Sequence, residues 1–338
     1  MDYEERHMKT KNPTAIFSII LILSVLACNL PGSATPQATP VPILPTETPA
    51  ASASATPTIA PTETEIPSPT VVPPTPTIAV FHSLVPATNI RAGDLIHDVV
   101  SVDTAAENRA PYGDSYNINL FERPFTQDMT YIPDVDIVSY NLSHDEKFYY
   151  VSIELVGKNP NNEIGINYAV ELDLDADGFG DYIIAARPPY NAEWSTDGVV
   201  VAKDSNRDTG GLSAEKSDAP YPGDGYNEII FDSGLGSVND SDLAWVRINA
   251  GRYATVQFAF KLWVAENKFM YGVLADAGPR SIADLDYVDR YTEEEAGSPV
   301  RSDKFYPLKA LFGVDNVCRE VQGFTGTGQE PQRCLPKK

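Results

Sequence analysis

Basic residues are scarce. The chain has 25 Lys and Arg against 47 Asp and Glu, for a formal net charge of −22. Nucleic-acid binding needs clustered Lys and Arg to neutralise phosphates, so that class of partner is excluded. Cysteine is scarcer still. Three in 338 residues cannot form a disulfide scaffold of the small secreted type. Four histidines are a thin supply for general acid–base catalysis. No apolar run reaches the roughly 20 residues of a relaxed membrane-spanning helix. Sustained helical spacing is missing beyond the N-terminal run, although 299–312 could hold a short helical turn. Also absent are G-x-S-x-G, H-E-x-x-H and the phosphate-binding G-x-x-x-x-G-K-[ST]. What is present is a 42% hydrophobic composition, enough to exclude wholesale disorder.

Residues Ala15 to Ala27 (AIFSIILILSVLA) have the length of a signal-peptide core, and Lys9 and Lys11 supply its positive flank. Asp2, Glu4 and Glu5 are atypical of such a flank, which makes Met8 an alternative start to Met1. The run ends in Val25-Leu26-Ala27-Cys28, which resembles the lipobox of bacterial lipoproteins, with Leu26 departing from the usual small residue. The resemblance implies that residues 1–27 are a signal removed before Cys28. The lipidated Cys28 would then anchor an exported protein to the outer face of the cell membrane. An ordinary cleaved signal with a chance cysteine is the alternative. With Cys28 lipidated, Cys318 and Cys334 remain to pair in an oxidising setting. The loop they would close, about 15 residues, corresponds to about 3 kcal/mol by chain entropy. The Gly-rich, polar sequence between them predicts a stapled tail and not packed core.

From Ser33 to Ala79 there is no glycine, no aromatic and no basic residue, while 12 of the 28 prolines fall here with nearly as many threonines. Proline fixes φ and removes a backbone donor, so neither helix nor sheet propagates. Residues 28–79 therefore read as the lipidated cysteine and a disordered Thr/Pro-rich stalk. Extended, the stalk would reach on the order of 140 Å. Residues 80–338 are globular in composition. Three acids and three bases fall before the stalk and three acids within it. The remaining 41 acids and 22 bases give the globular part a charge of about −19.

The globular part has strand periodicity. Asp136–Leu142 alternates, His144–Lys147 turns and Phe148–Leu155 follows, which predicts a β-hairpin. Further strands are expected at Tyr168–Leu174, Tyr182–Ala186, Gly198–Ala202, Glu228–Phe231, Leu243–Ile248, Thr255–Val264 and Phe269–Ala275. Trp245 and Trp263 fall in apolar strands and are expected in the core. Many short strands separated by Gly, Asp, Asn and Pro predict an all-β fold, a single β-sandwich domain.

The sharpest motif is Asp173-Leu174-Asp175-Ala176-Asp177-Gly178-Phe179-Gly180-Asp181. Calcium takes six to eight oxygen ligands, and alternating carboxylates can wrap around one centre. The motif resembles the first nine positions of EF-hand and dockerin calcium loops. That resemblance assigns Asp173, Asp175, Asp177, Asp181 and the Phe179 carbonyl as ligands of a structural Ca²⁺. It departs at position 12, which is Ile184, and the flanks are strands. A calcium-clamped β-hairpin is therefore expected, with a solvated Asp/Gly turn as the alternative. Asp204, Asn206 and Asp208 form a weaker loop of the same kind, interrupted by Arg207. Asp284, Asp286 and Asp289 read as a solvated acidic loop.

Catalysis finds little support. Gly113-Asp114-Ser115 and Asp94-x-x-His97 resemble blocks of one esterase class, but in reversed order. Binding is the better class, and no enzyme is expected. Tyr190 and Trp194 in one loop and Tyr226 in another would stack on sugar rings, although covering the core edge is the simpler role for each. From about Asp134 to Asp276 the chain loosely resembles DOMON and family-9-like carbohydrate-binding β-sandwiches, carried by DVDIVSYNLSHDEKFYYVSIEL and NYAVELDLD. The resemblance implies a cell-surface module that binds a glycan. The alternatives are a module that contacts an envelope protein and, third, a hydrolase.

Overall fold

A computed structural model describes residues 79–110, 121–209, 223–278, 281–282, 285 and 310–331. The signal, Cys28, the stalk, Gly113–Ser115, Asp284, Asp286, Asp289, Cys334 and nearly all of 299–312 lie outside them.

The described chain is all-β. Twelve strands form two antiparallel sheets, and its only helical pieces are single 3₁₀ turns at Ala105–Glu107 and Leu262–Val264. The first sheet contains β1 (Ile96–His97), β2 (Ile137–His144), β3 (Phe148–Leu155), β8 (Ala244–Asn249) and β9 (Thr255–Lys261). Its order is β1-β2-β3-β9-β8. The second contains β4 (Asn167–Asp173), β5 (Tyr182–Ala186), β6 (Val199–Lys203), β7 (Glu228–Asp232), β10 (Phe269–Asp276), β11 (Val314–Asn316) and β12 (Glu320–Gln322). Its order is β11-β10-β4-β5-β6-β7, and β12 also pairs with β10.

Strand alternation places residues on two faces. Val151, Ile153, Val256 and Phe258 of the first sheet share one buried core with Val170, Leu172, Ile184 and Val201 of the second. This is the sandwich the sequence predicts. The β2–β3 hairpin forms with Tyr140 opposite Ile153. Asp145 closes it, its Oδ1 accepting the Lys147 and Phe148 N–H groups at 2.7 and 2.8 Å.

Both sheets are also covered on their outer faces. Ala169, Ile183, Ala185 and Ala202 pack beneath Phe121, Leu311 and Val314. Two-sided burial explains the continuous apolar runs of β5 and β6. On the first sheet, Leu84 and Ile90 lie against Phe148, Tyr150 and Trp245. The lead-in segment that carries them is pinned by Asp242, whose Oδ2 accepts the Ser83 and Leu84 N–H groups, both at 2.9 Å, and the Ser83 hydroxyl at 2.7 Å. Asp242 Oδ1 lies 2.9 Å from His82 Nδ1.

Burial acts to raise the Asp242 carboxyl, but the hydrogen bonds from Ser83 and His82 outweigh it and hold the group below its ordinary 3.8. A depressed carboxylate stabilises the fold above its unfolded pKa, and the contribution is lost as pH falls through the folded value. Asp242→Ala is expected to cost about 2 kcal/mol at neutral pH and to speed proteolysis around His82. The difference from the parent chain should shrink below about pH 4. Equal digestion rates at neutral pH would argue against this anchor.

Two sequence expectations need correction. Thr255–Val264 is not one strand. The strand ends at Lys261 and a 3₁₀ turn follows, held by the Leu262 N–H donating to the Lys147 carbonyl at 3.2 Å. That turn swings Trp263 outward to 50% exposure, whereas Trp245 is in the core at 3%. The segment after Cys318 is also not only a tail. Its β12 residues pair with Phe269–Tyr271 of β10, and Arg319 is 2% exposed.

Candidate metal centre

The acidic loop joins β4 to β5, so the ladder between these strands brings its two ends together. Tyr168↔Ala186 through Leu172↔Tyr182 are paired, and the Asp181 N–H donates to the Leu172 carbonyl at 2.7 Å. The turn needs unusual backbone, with positive φ at Ala176 (59°) and Gly178 (97°). Glycine meets that requirement without strain. Asp173 folds back over the turn, and its carboxylate accepts the Asp177 and Gly178 N–H groups at 3.2 and 3.0 Å.

One carboxylate oxygen from each of Asp173, Asp175 and Asp177 lies within 4.8 Å of the others. Ligand oxygens at about 2.3–2.6 Å from a calcium ion span up to about 5 Å across it, so this separation fits one shared cation. Asp173 is buried, Asp175 exposed and Asp177 between, and the cluster opens to solvent through Asp175. Asp181 is not in this set. Its Oδ2 accepts the Leu174 N–H at 2.6 Å, which closes the loop. Phe179 donates its N–H to Asp177 at 2.9 Å. Ile184, at position 12, is fully buried in β5 and offers no ligand.

Two arginines, neither evident as a partner in the sequence, share this site. Arg319 enters from beneath. Its Nη1 lies 3.0 Å from Asp173 Oδ2 and donates to the Gly178 carbonyl at 2.9 Å, while Nη2 lies 2.8 Å from Glu171 Oε1. Tyr226 donates its hydroxyl to the same Glu171 oxygen at 2.5 Å. Arg207 pairs with Asp177 from the solvent side and stacks on Phe179, 5.0 Å from the ring centre. Five carboxylates, counting Glu171 and Asp181, thus face two guanidiniums and leave an excess of negative charge. Burial pushes the Asp173 carboxyl up against the pull of Arg319. Burial likewise raises Asp181, with the Asp175 charge adding to it.

The weaker loop is adjacent. Gly180 donates its N–H to the Thr209 carbonyl at 2.7 Å, and Asp204 donates to the Asp181 carbonyl at 3.0 Å. Asp204 accepts four backbone N–H groups, from Asn206, Arg207, Asp208 and Thr209. Asp208 accepts the Asp224 and Gly225 N–H groups, both at 2.9 Å, and Asn206 bonds Asp208 at 3.0 Å. These side chains hold a turn together through hydrogen bonds, which is what Asp and Asn do in loops without any cation.

The aromatic platform expected from Tyr190, Trp194 and Tyr226 is not assembled. Tyr190 is 5% exposed, and its hydroxyl sits 2.7 Å from the Ile166 carbonyl and 2.8 Å from that of Ala186. Tyr226 is 2% exposed, under the second sheet's outer layer. A buried ring cannot stack on a sugar, so both are corrected to structural residues. Trp194 is half-buried. Its Nε1 donates to the Ala87 carbonyl at 3.0 Å, and Arg247 covers it 4.4 Å from the ring centre.

Comparison with protein-family models, with curated proteins and with solved structures finds no match to this chain. Function is therefore argued from the site alone. No helix among the described residues is long and apolar enough to cross a membrane.

Proposed function

We propose that this chain is an exported lipoprotein whose calcium-stiffened β-sandwich serves as an interaction module at the cell surface. The observation that supports the metal is the convergence of Asp173, Asp175 and Asp177 within 4.8 Å in a hairpin loop that retains excess negative charge. In this reading the cation is structural. It fixes the β4–β5 loop and, through the Gly180–Thr209 and Asp204–Asp181 bonds, the neighbouring β6–β7 loop. The two loops form a rigid acidic rim that suits recognition of an envelope protein. The anchor is Cys28, raised on the Thr/Pro stalk, and a Cys318–Cys334 disulfide closes the far end of the chain.

Lipid chains hold a protein by burying CH₂ groups, each worth about 0.8 kcal/mol. Cys28→Ser is expected to move the protein from the membrane fraction to the medium, and unchanged retention on fractionation would count against the anchor.

Glycan binding is the second reading, and it rests on Trp194, the one ring of the three that reaches solvent. Glycan-array binding abolished by Trp194→Ala would favour it. Capture of an envelope protein without any glycan signal favours the first reading.

A further inference from the structure

A second acidic cluster lies at another place in the fold, and no sequence motif marks it. Asp98 follows β1, Glu122 adjoins the Arg123↔Val314 bridge, Asp136 precedes β2, and Asp315 is the middle residue of β11. One carboxylate oxygen from each of Asp98, Glu122 and Asp315 lies within 4.8 Å of the others. Unlike the hairpin loop, this cluster is inside the protein. Glu122 is 1% exposed, Asp136 and Asp315 are 0%, and Asp98 is half-buried at its edge.

Carboxylates alone do not make a site, since buried acids can share protons. The second observation is Asp315 itself. Its Oδ2 accepts the Ile137 N–H at 2.6 Å. Its Oδ1 is fully buried and has no hydrogen-bond donor among the described residues. An unsatisfied buried carboxylate oxygen costs several kcal/mol unless a proton or a cation reaches it. The charged groups that bear on Asp315 most strongly, Glu122, Asp98 and Asp136, are all acidic, and together with burial they push its carboxyl well above the ordinary range. Glu122 also accepts the Ser101 hydroxyl, and Asp136 those of Tyr131 and the Ser101 N–H. The donors at hand are therefore neutral and leave the charge in place.

We propose that Asp98, Glu122 and Asp315 hold a calcium ion in the interior, with Asp136 adding charge behind them. All contributors are oxygen, which selects a hard cation. Three or more carboxylates in irregular geometry suit Ca²⁺ better than Mg²⁺, which demands a near-ideal octahedron and retains its waters. Asp98 leaves the side through which the ion enters. The site sits where the two sheets meet, because Asp315 of the second sheet already bonds Ile137 of the first across 178 residues of sequence. A cation here ties the segments at 98, 122 and 315 into one closure of the sandwich.

The experiment counts calcium in the full chain, stripped with EGTA and then reloaded, by equilibrium dialysis or native mass spectrometry. Asp175→Asn with Asp177→Asn removes the hairpin site and serves as the background. That background is expected to retain one equivalent of Ca²⁺. Adding Glu122→Gln should weaken the remaining site at least tenfold, and adding Asp315→Asn should abolish it. A background variant that binds no calcium, or one whose calcium survives both further changes, overturns the proposal. If those changes prevent folding, Tb³⁺ luminescence in the background variant decides. Tyr131, bonded to Asp136, should sensitise the emission, so Tyr131→Phe should reduce it at least severalfold, and unchanged emission would overturn the assignment. Loss of the hairpin site alone leaves this proposal standing, so the two metal readings fail separately.

Discussion

Arg319→Ala is expected to destabilise the domain by about 3–5 kcal/mol, because removing one partner of a buried ion pair strands the other. The Arg319 side chain is 2% exposed and Asp173 is 0%. The change would leave the Asp173 carboxylate without its guanidinium, and Glu171 with only the Tyr226 hydroxyl as a donor. Urea denaturation in the presence of EGTA measures the loss. Combining it with Asp173→Asn and Glu171→Gln should recover part of the stability, since the uncompensated charges go with the cation. A cost under about 1 kcal/mol would mean that the pair is solvated. Arg319→Ala should also bind calcium more tightly at the hairpin, because it removes a competing positive charge. Its melting temperature should therefore depend on calcium more steeply than that of the parent chain.

Excess chelator is expected to lower the melting temperature by roughly 5–10 °C. A ligand present at 100 times its Kd stabilises by about 2.7 kcal/mol, and in a domain of this size each kcal/mol moves the midpoint by about 2–4 °C. The comparison is calorimetry with 1 mM calcium against EGTA at fixed ionic strength. Asp175→Asn with Asp177→Asn should remove the hairpin's share of the shift and raise the midpoint in EGTA, because two mutually repelling charges are gone. An EGTA midpoint equal to that in calcium would remove the basis for a structural cation at either cluster.

The two clusters differ in how far the sequence reveals them. Asp173, Asp175 and Asp177 are near neighbours in the chain, so a tight turn alone brings their oxygens together, and the pattern is visible as letters. Asp98, Glu122 and Asp315 are isolated acids in unremarkable contexts. They meet only because β11 pairs with β10 and the segment at Glu122 lies across it. The same distinction applies to Arg319, which begins as one basic residue in a polar tail. It becomes the counter-ion of β4 only when β12 takes its place on the edge of β10.

Local periodicity was a good guide wherever strands were long enough to show it. β2 through β10 follow the predicted segments closely, with the largest difference at the end of β9. β1, β11 and β12 have two or three residues each, too short for alternation to register, and they form through pairing with a longer strand. Aromatic side chains were misjudged for a related reason. Loop position places Tyr190 and Tyr226 near solvent, but only packing shows that Tyr190 bonds the Ile166 and Ala186 carbonyls and that Tyr226 reaches Glu171 from a covered face. Trp263 was misjudged in the opposite sense.

The sequence by itself determined the all-β class, the strand order along the chain, the excess negative charge and the hairpin loop where three carboxylates meet. Each of these is local, set by a period of two residues or by a turn of nine. Only the tertiary structure decided which charges are compensated, which rings are buried and where the second carboxylate cluster forms. Those outcomes depend on burial and on contacts between residues more than a hundred positions apart, which no local pattern encodes.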